Sequence, residues 1–385
     1  MAQHPYDIWP LLARPGGAPL PRDTDALRDA AARFAGLISP ALAEHLLAPV
    51  SARLGAALLD PDAVARDRLL KTFTLAQHRS WARCLVDTGI DVVFLKGFAN
   101  AHTLYGDPRV RAQGDLDILV HGADLSRAVD FLSSRGFRFR ASPLNPWGMI
   151  SDASFMPMVS PDGACPVDIH IHPDCYPAHL SLTTGLVFAR AATVEADGFR
   201  FRAPCADHAL VLCATNAAKD KFFLSSVTKA IDAILLLRDR ASAIDWDGLA
   251  ALARDGAFFR PMATFLALLA ALGAATDDAP GALRTPPRGL RGLAFRGVVD
   301  DYRALFPDEV PLTTYLCREW LLGAEPRVAL RNLLVRTKGL FRPSSGIPEC
   351  GPVGAGNVLL PLRSDAGIHA PASTMARDRR TLVEE

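Results

Sequence analysis

Two carboxylates one residue apart inside a β-branched run constrain this chain most: Gly114-Asp115-Leu116-Asp117-Ile118-Leu119-Val120. A strand alternates its side chains between two faces, so Asp115 and Asp117 project from the same face. Like charges that close repel and raise a pKa unless a cation neutralises them. A divalent ion is one solution, and Mg²⁺ favours a few carboxylates together with substrate phosphates. An exposed strand face or edge is the other.

The residues before the pair favour the ion. Asp91-Val92-Val93-Phe94-Leu95-Lys96-Gly97 reads as a short buried strand ending at a glycine, and Phe98 to Tyr105 reads as a helix. Strand, glycine turn and helix together aim free backbone N–H groups at an anion, and Lys96 adds a cation there. The turn Gly106-Asp107-Pro108-Arg109-Val110-Arg111 then delivers two arginines before the second strand. Each arginine suits either a phosphate contact or surface pairing with Asp107.

Downstream, Ala123 to Leu132 has helical spacing and closes on Arg135-Gly136-Phe137, with glycine in a C-cap position. Pro157 to Gly163 reads as a turn between strands, its Asp162-Gly163 being a hairpin signal. Pro166-Val167-Asp168-Ile169-His170-Ile171-His172-Pro173 alternates with period 2. Asp168, His170 and His172 share one face, and Asp168 is a third carboxylate able to complete a metal site with Asp115 and Asp117. His170 suits either a donor to Asp168 or an ordinary half-exposed strand position. Cys165, His170, His172, Cys175 and His179 are close in sequence, but their spacing fits no zinc pattern well.

In these residues the chain resembles the polymerase-β-like nucleotidyltransferase superfamily. More narrowly, it resembles a bacterial family of uncharacterised nucleotidyltransferases. The matching residues are Leu95-Lys96-Gly97, Tyr105, Arg111, Gly114-Asp115-Leu116-Asp117 and Val167-Asp168-Ile169-His170, with a weaker echo at Ile244-Asp245-Trp246-Asp247. The resemblance spans roughly residues 65 to 275. It implies two Mg²⁺ ions: Asp115 and Asp117 hold the ions that carry the phosphates of an NTP, and Asp168 binds the catalytic ion and helps activate the acceptor. Lys96-Gly97 stands where the superfamily usually has Gly-Ser, so the phosphate cradle rests on Gly97, the helix N-terminus and Lys96.

The implied reaction moves an NMP from an NTP to an acceptor hydroxyl or phosphate, with release of pyrophosphate. The acceptor classes are a small molecule, a modified peptide or a polymer. The Lys-Gly branch includes toxin-type enzymes, so an alternative is modification of tRNA 3′ ends. A nucleotide-binding protein without catalysis is the non-enzymatic alternative.

The rest of the chain bounds this reading. With 385 residues, 50% hydrophobic and 22% charged, it is an ordinary globular composition. The net charge of +1 demands neither nucleic acid nor membrane. Seven scattered cysteines suit a reducing cytoplasm, and Met1 to Asp7 shows no secretory signal. The longest apolar stretch, Met262 to Ala275, is too short to span a bilayer and reads as a buried helix.

The fold class expected is α+β, a small mixed sheet flanked by helical regions. Its expected parts are a helical region at 1–85, a catalytic core at 86–205, a helical domain at 206–343 and a flexible tail at 344–385. Within the first, Asp62 is the expected N-cap of the helix running toward Cys84, and Phe199 to Arg202 is a further strand of the core. Lys219, Lys221 and Lys229 are notable where most positive charge is arginine. They suit either a triphosphate across a cleft or a solvated helix face. Residues 276–290 look like a linker. Within and beyond it basic residues accumulate (Arg284, Arg288, Arg291, Arg296, Arg327, Arg331, Arg336, Lys338, Arg342), as coding bias produces and as a basic patch for a phosphate-rich or acidic partner would require.

Overall fold

A computed structural model describes residues 6–139, 153–154, 157–196, 198–306 and 311–340. The expected tail at 344–385 lies outside the described residues. The fold is α+β, with a seven-stranded mixed sheet among helices. The strands are β1 (Val92–Phe94), β2 (Leu116–Val120), β3 (Arg138–Phe139), β4 (Met158–Val159), β5 (Pro166–His170), β6 (Ala192–Ala196) and β7 (Phe199–Ala203). Their order is β3-β4-β5-β2-β1-β7-β6. β2 lies at the centre, antiparallel to β1 and parallel to β5.

Alternation divides the sheet's two faces cleanly. Leu116, Ile118 and Val120 join Val167, Ile169, Phe94, Phe199 and Phe201 in one apolar cluster. That cluster is roofed by the helices Pro61–Asp87 and Leu125–Ser134, through Leu75, Ala82, Leu85, Ala128 and Leu132. Val93, Leu95 and Leu119 belong to the opposite face. They join a larger core built by the helices before and after the sheet, including Phe34, Leu47, Leu210, Ile234, Phe265 and Tyr302. The polar residues of β2 and β5 therefore emerge on the side where both helical flanks meet.

The flanks are tied together directly. Trp9, fully buried in the short helix Trp9–Ala13, donates its indole Nε1–H to the Tyr302 carbonyl at 2.7 Å. Of the expected buried helix Met262 to Ala275, the helix Phe259–Ala271 buries Met262, Phe265, Leu266, Leu268 and Leu269, while Ala270 is exposed. No helix among the described residues is long and apolar enough to cross a membrane.

Several local expectations need correction. The N-cap of the helix Pro61–Asp87 is Asp60, whose side chain accepts the Asp62 N–H, because Pro61 takes the first helical position. Residues 276–290 are not wholly a linker, since Gly281–Arg284 forms a helical turn that buries Leu283. β6 has no counterpart in the sequence reading, although Asp197-Gly198 before β7 repeats the hairpin signal seen at Asp162-Gly163.

One buried histidine makes the fold sensitive to acid. His208, 1% exposed on the helix Ala206–Lys219, has no hydrogen-bond partner at either ring nitrogen. Burial and the nearby Arg190 charge push its pKa down from 6.5 to about 4. The unfolded chain takes up the proton near pH 6.5 and the folded chain only near pH 4. Stability is thus full above that range and falls with acidification, by about 3 kcal/mol in all. In urea titrations near pH 7.5 and near pH 4.5, His208→Gln should lose about 2–3 kcal/mol less stability between the two than the parent. Equal losses would contradict this assignment.

Candidate active site

The sheet register builds the site. In the parallel β2–β5 pair, Asp117 stands directly opposite Asp168, and Leu119 opposite His170. Because residues i and i+2 share a face, Asp117, Asp168 and His170 converge. One ligand-capable atom from each lies within 4.8 Å of the others, the single such cluster of three or more among the described residues.

His170 Nε2 sits between the acids, 2.9 Å from Asp117 Oδ1 and 3.2 Å from Asp168 Oδ2. A proton on Nε2 lets the ring donate to either carboxylate. Burial and the Lys96 charge oppose protonation of His170, but Asp168 and Asp117 outweigh them and raise its pKa. Asp168 Oδ1 and His170 Nδ1 are buried without a hydrogen-bond partner. An unsatisfied buried carboxylate oxygen is costly, so this donor set fits a cation.

Lys96 reaches the same cluster from the β1–helix turn. Its Nζ donates to Asp117 Oδ1 at 2.6 Å and lies 3.3 Å from His170 Nε2. Burial disfavours the ammonium, yet Asp117 more than compensates and raises the Lys96 pKa. In turn, burial would raise the Asp117 pKa, but Lys96 and His170 hold that carboxyl well below its usual range.

The turn itself differs from the expected glycine hinge. β1 ends at Phe94, and Lys96 and Gly97 already belong to the helix Lys96–Leu104. Lys96, not glycine, adopts the left-handed conformation, with φ +45°. That backbone costs roughly 1–2 kcal/mol in a residue with a Cβ, and the ion pair with Asp117 is the visible compensation. Gly97 has no positive φ, and a Cβ there would meet only Arg111 Nη1, at 3.4 Å. No side chain caps this helix, so its first-turn N–H groups lack the usual partner.

Asp115 lies one residue before β2 and is exposed, outside the tight three-residue cluster. Protein crowding around its carboxyl and the Asp117 charge push its pKa up. Exposure lets solvent soften that effect, and the direction follows from two acids on one chain segment.

Arg111, expected at the phosphates, is committed elsewhere. It is 9% exposed and forms a two-pronged ion pair with Asp232, Nε to Oδ1 at 3.0 Å and Nη2 to Oδ2 at 2.7 Å. Asp232, 1% exposed on the helix Val227–Arg240, also accepts from Tyr105 Oη at 2.6 Å and Asn100 Nδ2 at 2.8 Å. Arg109 takes the surface alternative, pairing with Asp107 at 2.8 Å.

The lysines separate. Lys219 pairs with the buried Asp174 at 2.5 Å, which Thr215 also reaches, and lies close enough to Lys96 for their charges to repel. Burial opposes the Lys219 charge, but Asp174 outweighs it and raises the pKa. Lys221 instead turns inward, 2% exposed, donating to the Lys219 carbonyl at 2.6 Å beneath the Tyr315 ring. Lys229 pairs with Asp220 at 2.9 Å.

Asp174 and Asp232 were not singled out from sequence. Asp232 did leave a trace, as a lone carboxylate in Ala230-Ile231-Asp232-Ala233-Ile234-Leu235-Leu236-Leu237.

Paired acids on adjacent central strands, countered by a lysine at an uncapped helix start, define a site suited to metal-bound phosphates. Residues 33–273, more than half of the chain, match the sequence model of a family described as uncharacterised nucleotidyltransferase, and the chain belongs to that family. No curated protein and no solved structure matches it.

The Asp232 hub yields a stability prediction. Asp232→Ala strands the buried Arg111 guanidinium, and equilibrium unfolding should show a loss of about 3–5 kcal/mol. A loss below about 1 kcal/mol would mean that the hub does not hold the site's turn to the helical flank.

Proposed function

We propose that this chain is a Mg²⁺-dependent nucleotidyltransferase of the polymerase-β-like kind, moving an NMP from an NTP to an acceptor hydroxyl or phosphate. The observation that carries the reading is the register pairing of Asp117, which Lys96 contacts, with Asp168, whose Oδ1 has no hydrogen-bond partner among the described residues. The residues that would hold the metal are Asp117 and Asp168, with Asp115 at the rim. Two bound ions would clamp the attacking and leaving oxygens of an in-line displacement and neutralise the phosphates.

The remaining roles belong to the chain itself. The N–H groups that open the helix Lys96–Leu104 bind phosphate oxygens. Neither φ nor internal packing calls for glycine at 97, so close approach of a phosphate to the backbone is its proposed role. Lys96 adds positive charge between the phosphates and Asp117. His170 orients Asp168 and Asp117 through Nε2. The Asp168 carboxylate takes up the proton of the acceptor hydroxyl as the oxygen attacks the α-phosphorus. The new O–P bond forms as the α–β anhydride bond breaks, and pyrophosphate leaves with that electron pair. Lys219, beside Lys96, adds to the positive field that meets the departing pyrophosphate. Arg111, through Asp232, positions the turn rather than touching substrate. Cys84, Cys165, Cys205, Cys213 and Cys317 form no disulfide among the described residues, which suits the reducing cytoplasm proposed for the enzyme.

Asp117→Asn and Asp168→Asn should each lower Mg²⁺-dependent pyrophosphate release, with NTP and an active acceptor, on the order of 10²–10³-fold. Their folds, read by thermal melting, should survive. Full turnover in either folded variant would sink the reading.

A further inference from the structure

Three of the described arginines past residue 280 are matched by acids. Arg284 faces Asp277 at 3.5 Å, Arg303 faces Asp7 at 3.0 Å, and Arg318 faces Asp301. Arg291 is placed differently. Its Nε donates to the Leu321 carbonyl at 2.9 Å, and among the described residues no carboxylate lies within ion-pair distance. It shares a cavity of about 230 Å³ with Arg260, Thr264, Thr285, Phe259 and Glu325.

Arg260 is held rigidly there. Its Nη1 donates to the carbonyls of Trp320 at 3.1 Å and Ala324 at 3.0 Å. Glu325, the one acid of the cavity, stays 3.8 Å from Arg260 Nε and accepts the Arg260 backbone N–H at 2.9 Å. An adjoining cleft of about 550 Å³ shares Phe259 and Glu325 and adds Arg254 and Arg327. Four guanidiniums thus line the two spaces against a single carboxylate. The imbalance is felt at Arg291, where burial and the Arg260 charge lower the pKa despite Glu325.

We propose that this cavity is a binding site for a phosphoryl group, gripped by Arg291 and Arg260. Guanidinium forks match the oxygens of a phosphate in pairs, and a pair that faces a single carboxylate gains from a multiply charged oxyanion. The cavity is smaller than the roughly 300–1,000 Å³ of pockets that hold drug-sized ligands. It therefore takes the phosphoryl group itself, and the larger cleft takes whatever the group is attached to. The site shares no residue with the Asp117–Asp168 cluster and does not rest on the proposed reaction. Thr285, Arg291, Glu325 and Arg327 also lie beyond residue 273, where the family match ends.

The test is calorimetric titration of the full chain with inorganic phosphate and with O-phosphoserine, in EDTA to remove divalent ions. Arg291→Gln should weaken binding about tenfold or more. Arg291→Lys, which keeps the charge but loses the fork, should fall between, and Asp117→Asn should bind as the parent does. If Arg291→Gln fails to fold, the exposed pair Arg254→Gln/Arg327→Gln should still weaken binding and flatten its salt dependence. Tighter binding of phosphoserine identifies a phosphate ester as the ligand, and tighter binding of phosphate a free anion. Each supports the site. Parent-like affinity in Arg291→Gln, loss of binding only in Asp117→Asn, or no binding of either anion to the parent overturns it.

Discussion

The parallel pairing of β2 with β5 fixes everything the site can do. It sets two carboxylates side by side on the central strands of a sheet, an arrangement whose repulsion needs a positive counterpart. Lys96 supplies it from within the chain, joined by His170, whose pKa the two acids raise. Their charges hold Asp117 ionised despite burial. The unpartnered Asp168 Oδ1 shows that the internal cations do not satisfy the whole set.

The surrounding fold is arranged to keep that geometry. Lys96 reaches Asp117 only by adopting a left-handed backbone, and strain of this kind persists where neighbouring structure over-determines it. Here the determinant is Asp232. From a different helix it gathers Asn100, Tyr105 and Arg111, residues that follow Lys96 in the chain. A single buried carboxylate thereby fastens the β1–helix unit and the approach to β2 against the helical flank. On the opposite face of the sheet, Ile118, Val167 and Ile169 pack into an apolar cluster, so a register slip would bury the acids in hydrocarbon and is strongly disfavoured.

Much of this was legible in the sequence because it depends on local periodicity. Period-2 alternation placed Asp168 and His170 on one face of β5, and the Asp162-Gly163 signal placed the hairpin between β4 and β5. The three acids and Lys96 were named from their strand context alone. What escaped was long-range pairing. For Arg111 the sequence offered a phosphate or the nearby Asp107, whereas its partner Asp232 lies 121 residues away. Lys219 and Lys221, two residues apart, diverge because only the tertiary fold sets Asp174 beside the first. The turn was read as a glycine turn at Gly97, whereas the left-handed residue is Lys96, held by its ion pair with Asp117.

The central claim is that Asp117 and Asp168 together hold a divalent ion at the α-phosphate of an NTP. Anomalous diffraction from crystals soaked with Mn²⁺ and a nonhydrolysable NTP tests it most directly. The account predicts a manganese peak ligated by both Asp117 and Asp168, with the phosphates against the start of the helix Lys96–Leu104. An ordered nucleotide bound elsewhere, with no manganese between those two carboxylates, would contradict it.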